Sequence, residues 1–324
     1  MPYAPAGMQT TSPGLTHFPA AYYRRRQLDQ LMKKFVFMAV TEPDNIPLRE
    51  GKTIQWYRID LPSANTTPSA EGAVGASLGY ASTTISATVN EYSDFITAST
   101  LLLETDISPT VENMSSWLGY RAGLSTDTIV RTELDTAVAS VSVNTIGTYL
   151  AASDFLQVRA LLRGQDVPGR SQTDTEGEEF HAIAHPYVLY DMMADNTAGG
   201  WIDVRKYTRP ETIINAEVGK AGGCRIMEST NVSTATVNGN TVYYVYVVGA
   251  GAIGAVDLAG RGPSNVKNPK RQAFKTNVIM GKPSIADPEG KIGAAVSYRF
   301  VFTVKLLDVV VYRYKIIYAD PSIV

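Results

Sequence analysis

Apolar and polar positions follow different rhythms in different parts of the chain, and each rhythm predicts an element. In YYRRRQLDQLMKKFVFMAV (22–40), Leu28, Leu31, Met32 and Phe35 recur at steps of three and four, which predicts a short amphipathic helix with a basic flank. Ahead of it, Pro2, Pro5, Pro13 and Pro19 stand among small polar residues and predict an extended arm. From TIQWYRIDL (53–61) the step becomes two. This segment predicts one strand, and the stretch around Thr84 to Glu91 predicts its return, with Ile85, Ala87 and Val89 alternating with Thr84, Ser86, Thr88 and Asn90. Between them SANTTPSAEGAVGASLGY (63–80) is too rich in small residues to form a core of its own. Hairpins usually close in about two to five residues, so a loop this long implies a task, that of a limb reaching another chain.

The helical step returns at Ser108-Pro109, with Ser as N-cap, Pro at the first helical position and Glu112 in the first turn. Val130, Leu134 and Val138 mark one stripe. Running to about residue 140, this helix would span ~45 Å and suits a structural spine. SDFLQVRALLRGQ predicts a further helix ended by Gly164, and TDTEGEEF an acidic, exposed loop. FHAIAHPYVLYDMMAD reads as a strand followed by a helix opened by Pro186, and GGCRIMES and TVYYVYVVG read as strands. VSYRFVFTVKLLD and VVVYRYKIIYA predict two long strands of the main sheet. Strands and helices mix without a strict βαβ alternation, which argues for an α+β fold.

Composition narrows the function. Hydrophobic residues make up 44% and charged residues 19% of 324, which is globular and long enough for a large core. The net charge of -2 lacks the basic excess of a domain that condenses nucleic acid. Arg24, Arg25, Arg26, Lys33 and Lys34 form a local basic cluster that can serve genome contact; a solvated face or a contact to a neighbouring subunit is the favoured reading. A single cysteine, Cys224, excludes an intrachain disulfide and gives no zinc cluster. The N-terminus lacks the apolar stretch of a secretory signal. The most apolar segment, Val242 to Val256, is interrupted by glycines and shorter than the ~20 residues of a membrane span, so a soluble protein without membrane contact is expected.

The search for chemistry meets decoys. Gly249-Ala250-Gly251-Ala252-Ile253-Gly254 is a formal GxGxxG after an apolar strand, but Gly260, Gly262 and Pro263 stop any following helix and no strand ending in an acid comes next. His181 and His185 have HxxxH spacing, but Pro186 follows directly and the segment reads as extended, where positions four apart lie ~13 Å from each other. Cys224 reads as a small buried residue. No catalytic, cofactor-binding or metal-binding residue is expected.

The order of parts, together with RRRQLDQLMKKFVFM, IPLREGKTIQWYR, HPYVLYDMM and GGWIDVRKYTRPETIINAEVGKAGGCRIMES, resembles the major capsid proteins of tailed bacteriophages, closest to a podovirus-type subgroup. The resemblance covers roughly residue 20 to the end. It implies the Hong Kong 97-like shell fold: an N-terminal arm with its helix (1–48), an extended hairpin loop and its base (49–100), a peripheral domain with a spine helix (101–150), an axial domain (151–284) and return strands of the peripheral domain (285–324). It implies a virion protein, assembled in the host cytoplasm, that self-assembles as hexamers and pentamers into an icosahedral shell around double-stranded DNA bound without sequence specificity. Portal and decoration proteins are implied partners. A separate scaffolding protein is expected too, because no long extension precedes the arm. Arg24, Arg25, Arg26, Trp56, Glu71 and Tyr80 are the inter-subunit contact candidates. A cellular nanocompartment shell of the same fold is the alternative, and a dinucleotide-dependent enzyme a distant one.

Added dinucleotides are expected to leave the melting temperature unchanged. A genuine site held at a hundred times its dissociation constant would add ~2.7 kcal/mol, and an upward shift abolished by Gly251→Val would restore the enzyme reading.

Overall fold

The computed structural model describes residues 35–47, 50–59, 62–72, 74–75, 77, 79–105, 110–136, 149–173, 177–194, 202–203, 216–237, 239–258, 275–280, 291–307 and 313–322. A 3-10 turn, Phe37–Val40, leads into β1 (Glu42–Ile46), and the hairpin follows as β2 (Thr53–Ile59) and β3 (Ser82–Thr88). β4 (Asn90–Ser99), α1 (Thr100–Thr105) and the long α2 (Thr110–Asp135) come next. The chain then forms α3 (Ala152–Arg163), β5 (Ser171–Thr173), β6 (Gly177–Ala184), α4 (Pro186–Ala194) and β7 (Ile202–Asp203). β8 (Glu217–Ala221), β9 (Cys224–Glu228), β10 (Thr234–Val237), β11 (Asn240–Val248) and β12 (Ile253–Leu258) continue the series. It closes with β13 (Lys275–Met280), β14 (Ile292–Leu306) and β15 (Tyr314–Ala319).

β14 organises a five-stranded sheet. β4 and β13 pair antiparallel with its first part, β12 with its last five residues, and β1 adds parallel to β12. The period of two in β14 puts Ala294, Val296, Tyr298, Phe300, Phe302 and Val304 on one buried face. α2 covers that face with Leu118, Ala122, Val130 and Leu134, and Phe37 and Val40 join the same core.

The second sheet has eight strands in the order β10–β11–β6–β9–β8–β7, with β15 along β11 and β5 along β6. One face buries Phe180, Ala182, Cys224, Ile226, Val245 and Val247 against α3 and α4. On the other face Ile183, Met227, Tyr246 and Val248 merge with the α2–β14 core. The two sheets therefore share one hydrophobic interior.

Four expectations change. Residues 22–34 lie outside the described residues, and the expected helix does not run to residue 40: Phe37–Val40 form a 3-10 turn because the Phe37 N–H donates to Asp127 Oδ1 at 2.8 Å instead of closing a helical turn. The spine helix is observed as Thr110–Asp135, about 39 Å long, while its expected Ser108-Pro109 start lies outside the described residues. The acidic segment is not all loop: Gly177 to Phe180 begin β6, and Glu179 is buried in an ion pair with Lys220. Lastly, β14 and β15 do not share a sheet. The alternating β14 leaves one face open, whereas YKIIYA of β15 is buried at every residue and joins β11 in the larger sheet.

His181 stands at the polar end of that larger sheet, near Arg170 and Arg225, with Arg225 held bidentately by Glu217 at 2.8 and 2.7 Å. Both His181 ring nitrogens lack hydrogen-bond partners among the described residues. Burial, then the Arg170 and Arg225 charges, push its pKa down to about 4 from 6.5. The unfolded chain therefore takes the proton first, so stability falls as pH drops from about 6.5 to about 4, by on the order of 3 kcal/mol. His181→Phe should remove this part of the acid lability in pH-dependent urea unfolding, while carboxylate contributions below pH 4 persist; an unchanged slope between pH 6.5 and 4 would refute it.

Candidate assembly interface

The hairpin is a two-stranded ribbon in register from Thr53↔Thr88 to Ile59↔Ser82, with the Thr53 and Thr88 hydroxyls 3.1 Å apart at its base. Its inward face carries Ile54, Trp56, Ile85, Ala87 and Val89. Trp56 packs on the cluster of Ile46, Val89 and Val256, and its Nε1–H donates to Asp44 Oδ2 at 3.3 Å. Gly254 makes room for it: a Cβ there would sit 3.0 Å from the Trp56 ring. Trp56 thus rivets the ribbon to β1 and β12. An isolated two-stranded hairpin is marginal in water, so this anchorage gives the ribbon its direction.

Beyond the ribbon the described residues of the tip lie open to solvent. Every described residue from Pro62 to Ala81 is exposed, including Val74 at 98% and Tyr80 at 77%. Among its described residues the tip is shaped by an Asn65 side chain accepting from the Thr67 N–H at 3.0 Å and by a turn at Glu71-Gly72 with Gly72 at φ 77. The outward face of the ribbon adds Tyr57 and Ile59, both exposed. Of the contact candidates, Glu71 and Tyr80 lie at the tip. Trp56 lies at the base with contacts inside its own chain, and Arg24, Arg25 and Arg26 lie outside the described residues.

Further uncovered apolar groups escaped the sequence reading. α4 buries Val188, Leu189 and Met192 and exposes Tyr187, Tyr190 and Met193. The available signal was a helix apolar all round, which demands cover on both sides. Phe95, Leu101 and Ile279 are exposed on the five-stranded sheet and its flank. Large exposed apolar groups of this kind mark association surfaces.

The decoys resolve into packing. Gly249, Gly251 and Gly254 form a strand–turn–strand passage from β11 to β12, with no helix N-terminus for a pyrophosphate. The amides such a ligand needs already donate elsewhere: Gly249 to the Arg313 carbonyl, Ala250 to the Pro168 carbonyl and Gly251 to Glu42 Oε1. His185 stacks on Tyr243 at 4.4 Å, and its Nδ1 accepts from the Tyr187 N–H. Burial pushes the Cys224 thiol up to about 12, so no nucleophilic thiolate forms. Among the described residues no three His, Cys, Asp or Glu gather as metal ligands, and no helix is long and apolar enough to cross a membrane.

No protein-family model and no curated protein sequence matches the chain. Solved structures match it over nearly its whole length. The capsid of Ralstonia phage GP4 superposes with a TM-score of 0.69, covering 97% of this chain and 99% of its own at 11% identity. The fold is that of a tailed-phage capsid. The capsid of cyanophage Pam1 superposes on this capsid fold with a TM-score of 0.65, covering 94% and 97% at 11% identity. An encapsulin of Synechococcus elongatus shares it at a TM-score of 0.57, covering 93% of each chain at 8% identity. The α+β class and Hong Kong 97-like architecture expected from the sequence are what the structure shows.

Trp56→Ala should loosen the limb without unfolding the subunit. The half-buried ring and its bond to Asp44 contribute about 1–3 kcal/mol. Amide exchange at residues 53–59 and 82–88 should accelerate while protection of β14 stays constant; equal acceleration in both would show that the rivet supports the whole fold.

Proposed function

We propose that the chain is a major capsid protein, a virion component whose copies tile as hexamers and pentamers into an icosahedral phage head. The observation that carries this is the limb: a ribbon riveted at its base by Trp56, with an exposed tip, on a capsid fold matched from end to end. Assembly in the host cytoplasm, with portal, scaffolding and decoration proteins as partners and double-stranded DNA enclosed without sequence recognition, completes the proposal. Its function is structural and uses no cofactor. The partition into arm, limb, peripheral and axial parts is retained with one adjustment: β15 is assigned to the axial sheet, where it pairs with β11. Arg24, Arg25, Arg26, Trp56, Glu71 and Tyr80 remain the proposed contact residues. The encapsulin likeness supports a second reading, a nanocompartment shell; the TM-scores of 0.69 and 0.65 for the GP4 and Pam1 capsids, against 0.57 for the encapsulin, favour the first.

Replacing residues 63–80 with a two-residue Asn-Gly turn should leave a folded subunit, because such a turn closes a hairpin by itself. Electron microscopy should show closed shells for the parent chain and only capsomers or open sheets for the shortened one. Regular closed shells from the shortened chain would mean that the hairpin is not the inter-subunit limb.

A further inference from the structure

Arg170 latches one sheet to the other. Its N–H donates to the Glu179 carbonyl of β6 at 2.8 Å, so its backbone belongs to the larger sheet. Its guanidinium reaches the five-stranded sheet, where Nη1 donates to Glu42 Oε1 at 2.9 Å and Nη2 to the Thr41 carbonyl at 2.6 Å. Both acceptors stand at the start of β1.

His181 stands beside this latch, buried, with neither ring nitrogen partnered among the described residues. Paired residues of neighbouring strands share a face, so a row of side chains crosses the sheet at its level. β9 sets Arg225 opposite His181, and β8 sets Lys220 opposite Arg225. On the other side β11 offers Val248, with Tyr314 of β15 beyond it. β8 also contributes Glu217, and β6 itself Glu179. Arg170, Arg225 and Lys220 are thus balanced by Glu42, Glu217 and Glu179, each already engaged. A proton on His181 adds a positive charge with no carboxylate of its own.

The three cations differ in how readily they leave. Arg225 is held bidentately by Glu217, whose side chain is 0% exposed, and Lys220 is held by Glu179 at 4%. Breaking either pair would strand a buried carboxylate. Glu42 is 46% exposed, so water can take up its charge when Arg170 departs.

We propose that His181 is a proton-operated release for the Arg170 latch: the imidazolium displaces the Arg170 guanidinium from Glu42 and Thr41 and frees the start of β1 from the larger sheet. In the closed state burial, then Arg170, holds the His181 pKa down at about 4. Opening removes that charge and admits water, which returns the pKa toward 6.5. The open form therefore takes the proton first, and between those values its population grows about tenfold for each unit by which the pH falls. β1 also carries Asp44, the acceptor of the Trp56 indole, so release at Glu42 reaches the root of the hairpin. The inference concerns the single subunit and does not rest on the shell reading.

Amide exchange of the full-length chain, with rates corrected for the intrinsic effect of pH, tests it. From pH 6.5 down to about pH 4.5 the protection of residues 42–46 should fall at least about tenfold, while β14 beneath α2 keeps its own. In His181→Phe, which cannot take the proton, the fall should vanish; His181→Gln, neutral and polar, should behave likewise if the ring variant does not fold. Arg170→Met should show low protection of residues 42–46 at both pH values, because its latch is open throughout. Constant protection in the parent chain, the same fall in a folded His181 variant, or high protection in Arg170→Met overturns the proposal. So does an equal fall in β14, which would mean that acid unfolds the subunit as a whole. Any of these results leaves the capsid reading standing, since none concerns contacts between subunits.

Discussion

Burial of alternate β14 side chains beneath α2 removes the largest continuous apolar strip of the five-stranded sheet from water, and the other parts of the subunit take their positions from it. Phe300 stacks with Tyr92 of β4 at a centroid distance of 5.2 Å and with Tyr298 of its own strand at 5.9 Å, holding β4 against β14. Tyr298 also donates to Asp94 at 2.6 Å, and Asp94 holds Arg121 of α2 at 2.7 Å. These exposed polar links add little stability each but fix the register of helix on sheet. At the far end, Tyr246 of the larger sheet donates to Asp135 at 2.5 Å, and Asn231 donates to Asp127 at 2.8 Å, so α2 is read by both sheets at once. Burial raises the Asp127 pKa while its donors lower it, as expected of a carboxylate kept inside to orient backbone rather than to react.

The limb obeys the opposite rule. A segment of small residues whose described positions are all exposed has little buried area to offset the entropy of ordering it. Its base, by contrast, is fixed by an indole between two strands of another sheet. The ribbon therefore joins a firm root to a solvent-exposed tip. The exposed Tyr187–Tyr190–Met193 side of α4 differs in kind, being preformed apolar surface on a helix whose other side is buried.

Much of this was legible in the sequence where periodicity was strong. The two strands of the hairpin, the spine, the Gly164 stop of α3 and the Pro186 start of α4 appear where the residues predict them. What stayed hidden depends on partners distant in sequence. The acidic run before Phe180 reads as solvent-loving until Lys220, forty-one residues on, neutralises Glu179. The final strands read as a pair because pattern cannot state which sheet receives a strand, although the unbroken run YKIIYA against the alternation of β14 held the distinction. Trp56 reads from the sequence as an inter-subunit contact candidate; that it meets Asp44 and Gly254 of its own chain follows only from the parallel pairing of β1 with β12.

The chain passes between the two sheets at the turn from β11 to β12 and again from β14 to β15, and these passages are laced together. Gly249 donates to the Arg313 carbonyl at 2.8 Å, Arg313 Nη1 donates back to the Ala250 carbonyl at 3.1 Å, and Leu307 donates to the Ala252 carbonyl at 2.9 Å. Two crossings bound side by side constrain one another: neither can shift along that line without breaking hydrogen bonds of the other. The glycines that mimic a nucleotide motif are small because the chain crosses here at close quarters: a Cβ at Gly249 would sit 2.6 Å from Val167, and one at Gly251 2.7 Å from Arg313. Each passage therefore fixes the other, and the two sheets are joined along one laced line as well as across their shared core.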